Sequence, residues 1–419
     1  MCGIAGIISK NKQSVTLQSL HKAAAALNHR GPEGQGFFIN EQNNAGLAHC
    51  RLRIIDLSEA AAQPFNYLNR YSIVHNGELY NYLEIKKQLQ QEGFVFTTGS
   101  DTEVIVAAYA AYGNNCLQQF DGMFSFAIWD EQEQTLFAAR DRMGEKPFFF
   151  FYDEERFVFA SEINALWEMG VQKNPNHAML YNFINIGYTT NPTEPGETFF
   201  DKIQKLPAAN YLQYQLPANT LTLHNYWQVF PQVDNGISEA DAIEKFEKLF
   251  LASINRRLRS DVAIGTSLSG GLDSSAIVAF CNKQNSEAYT HKCFTASFAG
   301  FEKDELRYAK QVADQFGLQH FVAEVNDDEV VGLMDKVMRQ QQEPIASGSA
   351  LAQYKVYELA KQNGVTVLLD GQGADEILGG YHKYYKWHWQ DLYRRKKLTR
   401  GGELQAARAL GVTEPFAWK

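Results

Sequence analysis

The sequence predicts an α/β protein of two domains, a layered sandwich of strands and helices followed by a doubly wound parallel sheet. Three observations carry this. From Val262 to Leu369 strands alternate with helices, the pattern of crossover units around a parallel sheet. Earlier, the aromatic run Phe148 to Tyr152, the polar turn Asp153-Glu154-Glu155-Arg156 and the returning run Phe157 to Ala160 read as a β-hairpin, with helical stretches at 16–28 and 101–112 to cover it. Between the two halves the pattern loosens through Pro207, Pro217 and Pro231 to Asp234-Asn235-Gly236. The predicted division is therefore 1–205, a connecting segment 206–236, and 237–419. A chain of 419 residues is long enough for two or three domains at ~100 to 200 residues each.

The second domain opens on Ser238-Glu239-Ala240-Asp241, a capping-box-like start, and Ile243, Phe246, Leu249, Ile254 and Leu258 are expected along one helical face. The predicted strands are Val262 to Leu268, Cys293 to Phe298, Gln319 to Val325 and Val365 to Leu369, with helices beginning at Ser274 and Asp304 and others running to Asn363. Ligands of such sheets lie at the carboxyl ends of the strands. That gathers the loop at Ser269, the segment after Thr295 and the run Asp370-Gly371-Gln372-Gly373-Ala374-Asp375-Glu376.

Composition narrows the function. Hydrophobic content of 45% and charged content of 21% describe a globular chain. A net charge of -9 argues against a general nucleic-acid or membrane-surface binder. The basic cluster Arg394-Arg395-Lys396-Lys397 reads as a solvated helix face. No apolar run of ~18 residues is present, and the N-terminus lacks the basic region and apolar core of a signal peptide. Five scattered cysteines without a Cys-x-x-Cys pair fit free thiols in a reducing, cytoplasmic setting.

The chemistry begins at Ser267-Leu268-Ser269-Gly270-Gly271-Leu272-Asp273-Ser274-Ser275, a glycine turn between a strand and a helix start. Glycines admit close approach to the backbone, and the first-turn N–H groups with the positive end of the dipole face an anion. The loop has no Lys, so it is not a Gly-x-x-x-x-Gly-Lys-Ser phosphate loop. Asp273 beside phosphate requires a metal. A nucleotide with Mg²⁺ satisfies both conditions. At the other end, Cys2 follows the initiator Met, whose removal leaves a thiol carrying its own α-amine. With an ordinary pKa of ~8, that amine is a base suited to activating the thiol.

Two resemblances follow from longer strings. Ser269-Gly270-Gly271-Leu272-Asp273-Ser274 resembles the pyrophosphate loop of the ATP pyrophosphatases, which cleave ATP to AMP and pyrophosphate while adenylating a substrate. Met1 to Gly6, His29 to Gly34, Arg51 to Asp56, Asn76 to Asn81 and Gly99 to Glu103, in this order, resemble the glutaminase domain of the class II glutamine amidotransferases. Phe120 to Ala127, Arg140 to Pro147 and Phe159 to Ile163 are similar to the asparagine synthetase branch of that family. The resemblance runs to about Tyr381. It implies an N-terminal-nucleophile αββα sandwich followed by a doubly wound ATP pyrophosphatase domain. It also implies Cys2 as nucleophile, Asn76 (side chain) and Gly77 (backbone N–H) as oxyanion hole, Arg51 on the glutamine α-carboxylate, and Glu78 and Asp101 on its α-ammonium. In the second domain it places Leu268, Ser269, Gly270, Gly271, Ser274, Ala296, Asp370 and Gly371 at ATP, and Asp273 with Asp375 on Mg²⁺. The implied reaction adenylates the side chain of aspartate and aminates it with ammonia released from glutamine. The resemblance is compatible with a homodimer.

Two departures shape the expectation. The last loop often carries Ser or Thr, Gly, then an acid in this family, whereas Asp370 and Gln372 flank Gly371 here. Gln372 cannot act as a base towards ammonia, which favours another carboxylate acceptor, for example one in surface polysaccharide assembly. The family's second domain also continues well past Gly380 and supplies a phosphate-neutralising cation matched to no residue here. A chain incomplete at its C-terminus is therefore expected to be impaired in amide transfer, or to hydrolyse glutamine only.

Overall fold

A computed structural model describes residues 1–232, 236–284, 286–298, 300–302, 304–398 and 402–412. The expected turn residues Asp234 and Asn235 and the terminal Pro415 to Lys419 lie outside them.

The N-terminal half is a four-layer αββα sandwich. Its strands are β1 (Gly3–Ser9), β2 (Gln35–Ile39), β3 (Ala45–Cys50), β4 (Phe65–Tyr67), β5 (Tyr71–Leu79), β6 (Gly122–Asp130), β7 (Thr135–Arg140), β8 (Phe149–Tyr152), β9 (Arg156–Ala160), β10 (Ile203–Lys205), β11 (Asn210–Gln215) and β12 (Thr220–Asn225). They form two antiparallel sheets, ordered β10-β8-β9-β1-β3-β2 and β12-β11-β7-β6-β5-β4. The helices are α1 (Leu17–Leu27), α2 (Tyr82–Gln91), α3 (Asp101–Tyr112), α4 (Ile163–Glu168) and α5 (His177–Ile186). Strand alternation decides which layer each side chain joins. In β1, Ile4 and Ile8 enter the core between the sheets with Trp129, Phe157, Phe159 and Tyr214, while Ala5 and Ile7 pack under α1 and α4. On the far face Val104, Ile105 and Ala108 of α3 pack on Phe126 and Phe137. Thr16 caps α1 through the N–H of Ser19, and Ser100 caps α3 through that of Thr102, so both predicted helices begin where expected.

The segment expected as a connection is corrected in its first half. β11 and β12 continue the second sheet, β11 pairing with β7, and Leu212 and Tyr214 are buried between the sheets. Pro207 and Pro217 flank β11 rather than interrupt it, so they mark turns at its ends.

The second half is built on β13 (Ile264–Ser267), β14 (Tyr289–Ser297), β15 (Gln319–Glu324) and β16 (Val367–Leu369), all parallel and ordered β15-β14-β13-β16. Its helices are α6 (Glu239–Arg257), α7 (Leu272–Gln284), α8 (Leu306–Phe316), α9 (Asp327–Gln341), α10 (Ser349–Gln362), α11 (Ala374–Leu378), α12 (His382–Arg394) and α13 (Glu403–Ala409). Successive residues of β14 face opposite layers: Cys293 packs with α7 and α8, and Phe294 with α10. Strand order reverses between β13 and β16, which opens a crevice at their carboxyl ends. Ser238 caps α6 as predicted, but the expected apolar face divides. Phe250, Ile254 and Leu258, at spacing i, i+4, i+8, pack on the sheet domain, whereas Ile243, Phe246 and Leu249 are exposed. Only the last turns of α6 reach that core. No helix among the described residues is long and apolar enough to cross a membrane, and all five cysteines are free.

Candidate active site

The first site forms where β1 begins beside the kink at the end of β5. Cys2 Sγ lies against the backbone of Leu52, 3.4 Å from its nitrogen and 3.5 Å from its oxygen. Burial pushes the thiol up, opposed by the nearby N-terminal ammonium of Met1. Arg51, Leu52, Gly77, Glu78 and Asp101 line one pocket with Cys2. Asn76 lies between the lining residues His75 and Gly77 but is not itself part of the lining; it is fully buried, and neither atom of its side-chain amide has a hydrogen-bond partner among the described residues. An amide buried without partners is costly unless something else completes it. Gly77 has φ +143°, and a Cβ there would meet the Met123 oxygen at 2.0 Å, so only glycine fits the kink.

The charges divide across this pocket. Glu78 is buried with Oε1 unpartnered, and burial followed by the nearby Asp101 pushes its carboxyl up to about 7. Burial raises Asp101 to about 6, although its Oδ2 accepts the N–H of Leu79 at 2.9 Å. Two carboxylates buried in one pocket, when charged, favour a cation between them. Arg51 donates to the carbonyls of Asp56 at 2.6 Å and Ser58 at 2.7 Å, which fixes the loop after β3 and leaves further N–H groups of its fork.

Four neighbours received no role from the sequence. Arg30 Nε donates to the Cys2 carbonyl at 3.0 Å, and its NH1 shares Glu162 Oε1 with His29 Nε2, each at 2.9 Å. Burial acts against the charge of Glu162, but His29 and Arg30 outweigh it and hold the carboxyl below its ordinary range. Lys146 is buried with Nζ 2.7 Å from Met1 Sδ, and burial lowers its pKa against the pull of Glu78. All four lie inside strings quoted from the sequence, His29 to Gly34, Arg140 to Pro147 and Phe159 to Ile163, and that was the available signal.

The second site occupies the crevice between β13 and β16. The Gly271 N–H donates to Ser269 Oγ at 3.2 Å, Ser269 Oγ lies 3.1 Å from Ser274 Oγ, and Ser275 Oγ donates to the Gly271 carbonyl at 2.7 Å. Gly270 has φ +88° and a Cβ there would meet the Ala309 nitrogen at 2.4 Å, so the turn is pressed against α8. The first N–H groups of α7 precede that helix's own hydrogen bonds and face the crevice mouth. The opposite loop is equally close: a Cβ on Gly371 would lie 3.1 Å from the Ser274 nitrogen and 3.2 Å from Asp273 Cβ. Burial and the neighbouring Asp375 both raise the Asp273 carboxyl. Gly380 leaves room for Asp375, since a Cβ there would collide with its Oδ1. Asp370 Oδ2 accepts the Tyr357 hydroxyl at 3.0 Å, and its Oδ1 is buried without a partner among the described residues. Leu268 is buried next to the end of β13, and half-buried Ala296 lies near the end of β14. Gln372 is exposed.

Two carboxylates from the first turns of two helices, Asp273 of α7 and Asp375 of α11, form a donor set that fits Mg²⁺, which takes one or two carboxylates and completes its shell with water and phosphate oxygens. Among the described residues no three metal-ligating side chains cluster, so the pair is a partial shell.

Residues 1–227 match the family described as glutamine amidotransferase domain, and residues 245–414 the one described as asparagine synthase. The chain is 35% identical over 415 residues to a putative glutamine-hydrolysing asparagine synthetase 2 of Methanocaldococcus jannaschii, covering 94% of this chain and 78% of that one. It is 30% identical over 389 residues to glutamine-hydrolysing asparagine synthetase 1 of Bacillus subtilis, covering 92% and 59%. It is 28% identical over 412 residues to the amidase chry2 of Gibberella zeae, covering 92% and 61%. The chain thus spans between about three-fifths and four-fifths of these relatives. With a glutamine amidotransferase domain followed by an asparagine synthase domain, and with this identity over nearly its whole length, the chain belongs to the glutamine-hydrolysing asparagine synthetase family.

Proposed function

We propose that the chain makes asparagine: glutamine hydrolysed at Cys2 supplies ammonia to an aspartate carboxylate activated with ATP in the second domain. The observation that carries this reading is a pair of buried residues with unsatisfied side-chain atoms beside the Cys2 pocket: Glu78 Oε1, in its lining, and both amide atoms of Asn76, next in the chain to the lining residue Gly77. They suit a substrate with a developing oxyanion at one end and an ammonium at the other.

With Met1 removed, the Cys2 amine takes the thiol proton and Sγ attacks the glutamine amide carbon. Asn76 Nδ2 and the Gly77 N–H receive the oxyanion, each such donor being worth roughly 3 kcal/mol. Arg51 reads the α-carboxylate, and Glu78 with Asp101 holds the α-ammonium. The amine returns its proton to the departing ammonia, and water hydrolyses the thioester to glutamate. In the second domain Ser269, Gly270, Gly271 and Ser274 offer N–H and hydroxyl groups to phosphate, while Leu268, Ala296, Asp370 and Gly371 flank the nucleotide. Asp273 and Asp375 would hold Mg²⁺, which when bound would supply positive charge to neutralise phosphate oxygens. This reading requires a sheltered passage between the sites, since ammonium in water is not a nucleophile.

The test is pyrophosphate release with ATP, Mg²⁺ and aspartate, with and without glutamine, following glutamate in the same tubes. Both products are expected in a ratio near one when glutamine is present. Glutamate without pyrophosphate would sink the aspartate reading.

A second reading keeps the chemistry and changes the acceptor. The Asp370-Gly371-Gln372 loop and the relative named as an amidase favour a different carboxylate. Pyrophosphate release in a screen of other carboxylates, and none with aspartate, would establish it.

The raised carboxyls make glutamine binding depend on pH. Glu78, at about 7, binds a proton as pH falls through that value, and Asp101 follows at about 6. The α-ammonium needs them charged. KM for glutamine is therefore expected to rise about tenfold between pH 8 and pH 6, the span over which a group titrating near 7 loses its charge. A flat KM across that span in a glutaminase assay would remove both residues from the ammonium site.

A further inference from the structure

The loop after β3 is held from the other domain. Asp56 N–H donates to Asp261 Oδ2 at 2.8 Å, and Asp261 N–H donates back to the Ile54 carbonyl at 3.0 Å. Asp261 lies three residues before β13, whose far end carries the Ser269 loop.

Asp56 is the point where both halves of the glutamine pocket meet. Its carbonyl accepts from Arg51 NH2, and its Oδ2 accepts the Gly99 N–H at 2.7 Å. Gly99 lies two residues before Asp101. One residue therefore sets the guanidinium expected to read the carboxylate and the turn that carries the carboxylate expected to read the ammonium. The side chain of Asp56 is fully committed within its own domain, with Oδ1 accepting from Ser58 at 2.6 Å. Its backbone N–H faces the second domain.

We propose that Asp261 is a positioning residue of the glutamine site, fixing Asp56 from the synthetase domain so that Arg51 and Asp101 are held at the spacing of one amino acid. This rests on the glutamine reading given above. The bond is charge-assisted, since a carboxylate accepts from an N–H, and is stronger than a neutral pair. Basic residues before it support the same contact. Arg259 pairs with Glu84 at 2.6 Å and donates to the Tyr80 carbonyl at 2.9 Å, Arg256 pairs with Asp121 at 2.8 Å, and Arg257 lies over the Tyr80 ring at 4.4 Å. With these in place, removing Asp261 leaves the domains docked and frees only the loop. The geometry runs along one strand from the nucleotide loop to the glutamine loop.

The experiment uses the full chain carrying Asp261→Ala and, separately, Asp261→Asn, which keeps an acceptor oxygen. KM and kcat for glutamine hydrolysis are measured together with backbone hydrogen exchange over residues 53–58 and 99–101. For Asp261→Ala, KM is expected to rise about three- to tenfold, because solvent screening at this exposed loop cuts a charged hydrogen bond to about the net worth of an ordinary one, with kcat within twofold and faster exchange in both segments. Asp261→Asn is expected to restore most of both. An unchanged KM in Asp261→Ala, whatever the exchange shows, overturns the positioning role. So does a loss of kcat with KM unchanged, or a failure of Asp261→Asn to restore either variable. A wild-type chain that releases no glutamate overturns the glutamine reading, and this inference with it; the two failures are thereby told apart.

Discussion

Cys2→Ala is expected to lower glutamate release by at least about 10³-fold, because without a nucleophile the remaining groups can only orient water. The effect should be confined to one domain. Sγ makes only weak contacts with Leu52, and alanine fills nearly the same space, so the melting temperature should not move. Pyrophosphate release driven by added ammonia, where the second domain is competent, should keep its wild-type rate. The pair of assays decides the matter. Glutamate release that survives in Cys2→Ala would mean that hydrolysis occurs elsewhere, and the arrangement of Asn76, Gly77 and Arg51 would need another explanation.

How much of this was legible beforehand depended on how local the cause was. The caps at Thr16, Ser100 and Ser238 and the hairpin at 149–160 come from interactions within a few residues, and the sequence shows both partners. The pair Asn76-Gly77 entered only through the family resemblance, and the positive φ that demands glycine at 77 is a finding of the structure. Partners far apart in the chain were not readable. Glu162 joins His29 and Arg30 across more than 130 positions and Gln342 across 180; Asp261 meets Asp56 across 205. Charges of this kind look like surface residues until the fold brings them to a pocket. The strands at 210–225 were hidden by prolines that define their ends, and the exposed half of α6 by an apolar pattern that runs further than the core it serves.

Asp273→Asn is expected to reduce pyrophosphate release by at least about 10²-fold while leaving glutamate release within about twofold. The carboxylate pair explains both the size and the sign. Burial, and after it the repulsion between Asp273 and Asp375, hold the Asp273 carboxyl of the free chain above its ordinary pKa. A divalent cation turns the repulsion into coordination, and its own charge then governs the site. Asparagine keeps the shape of the side chain, which stands where Gly371 approaches within van der Waals contact, but supplies a neutral ligand. Without Mg²⁺ the variant should therefore melt at the same temperature as the wild type or slightly higher, since one of two like charges has gone. With Mg²⁺ and ATP the wild type should gain stability by mass action and the variant much less. An Asp273→Asn chain stabilised by Mg²⁺ and ATP as strongly as the wild type would place the metal elsewhere, and the crevice between β13 and β16 would then bind nucleotide through its backbone alone.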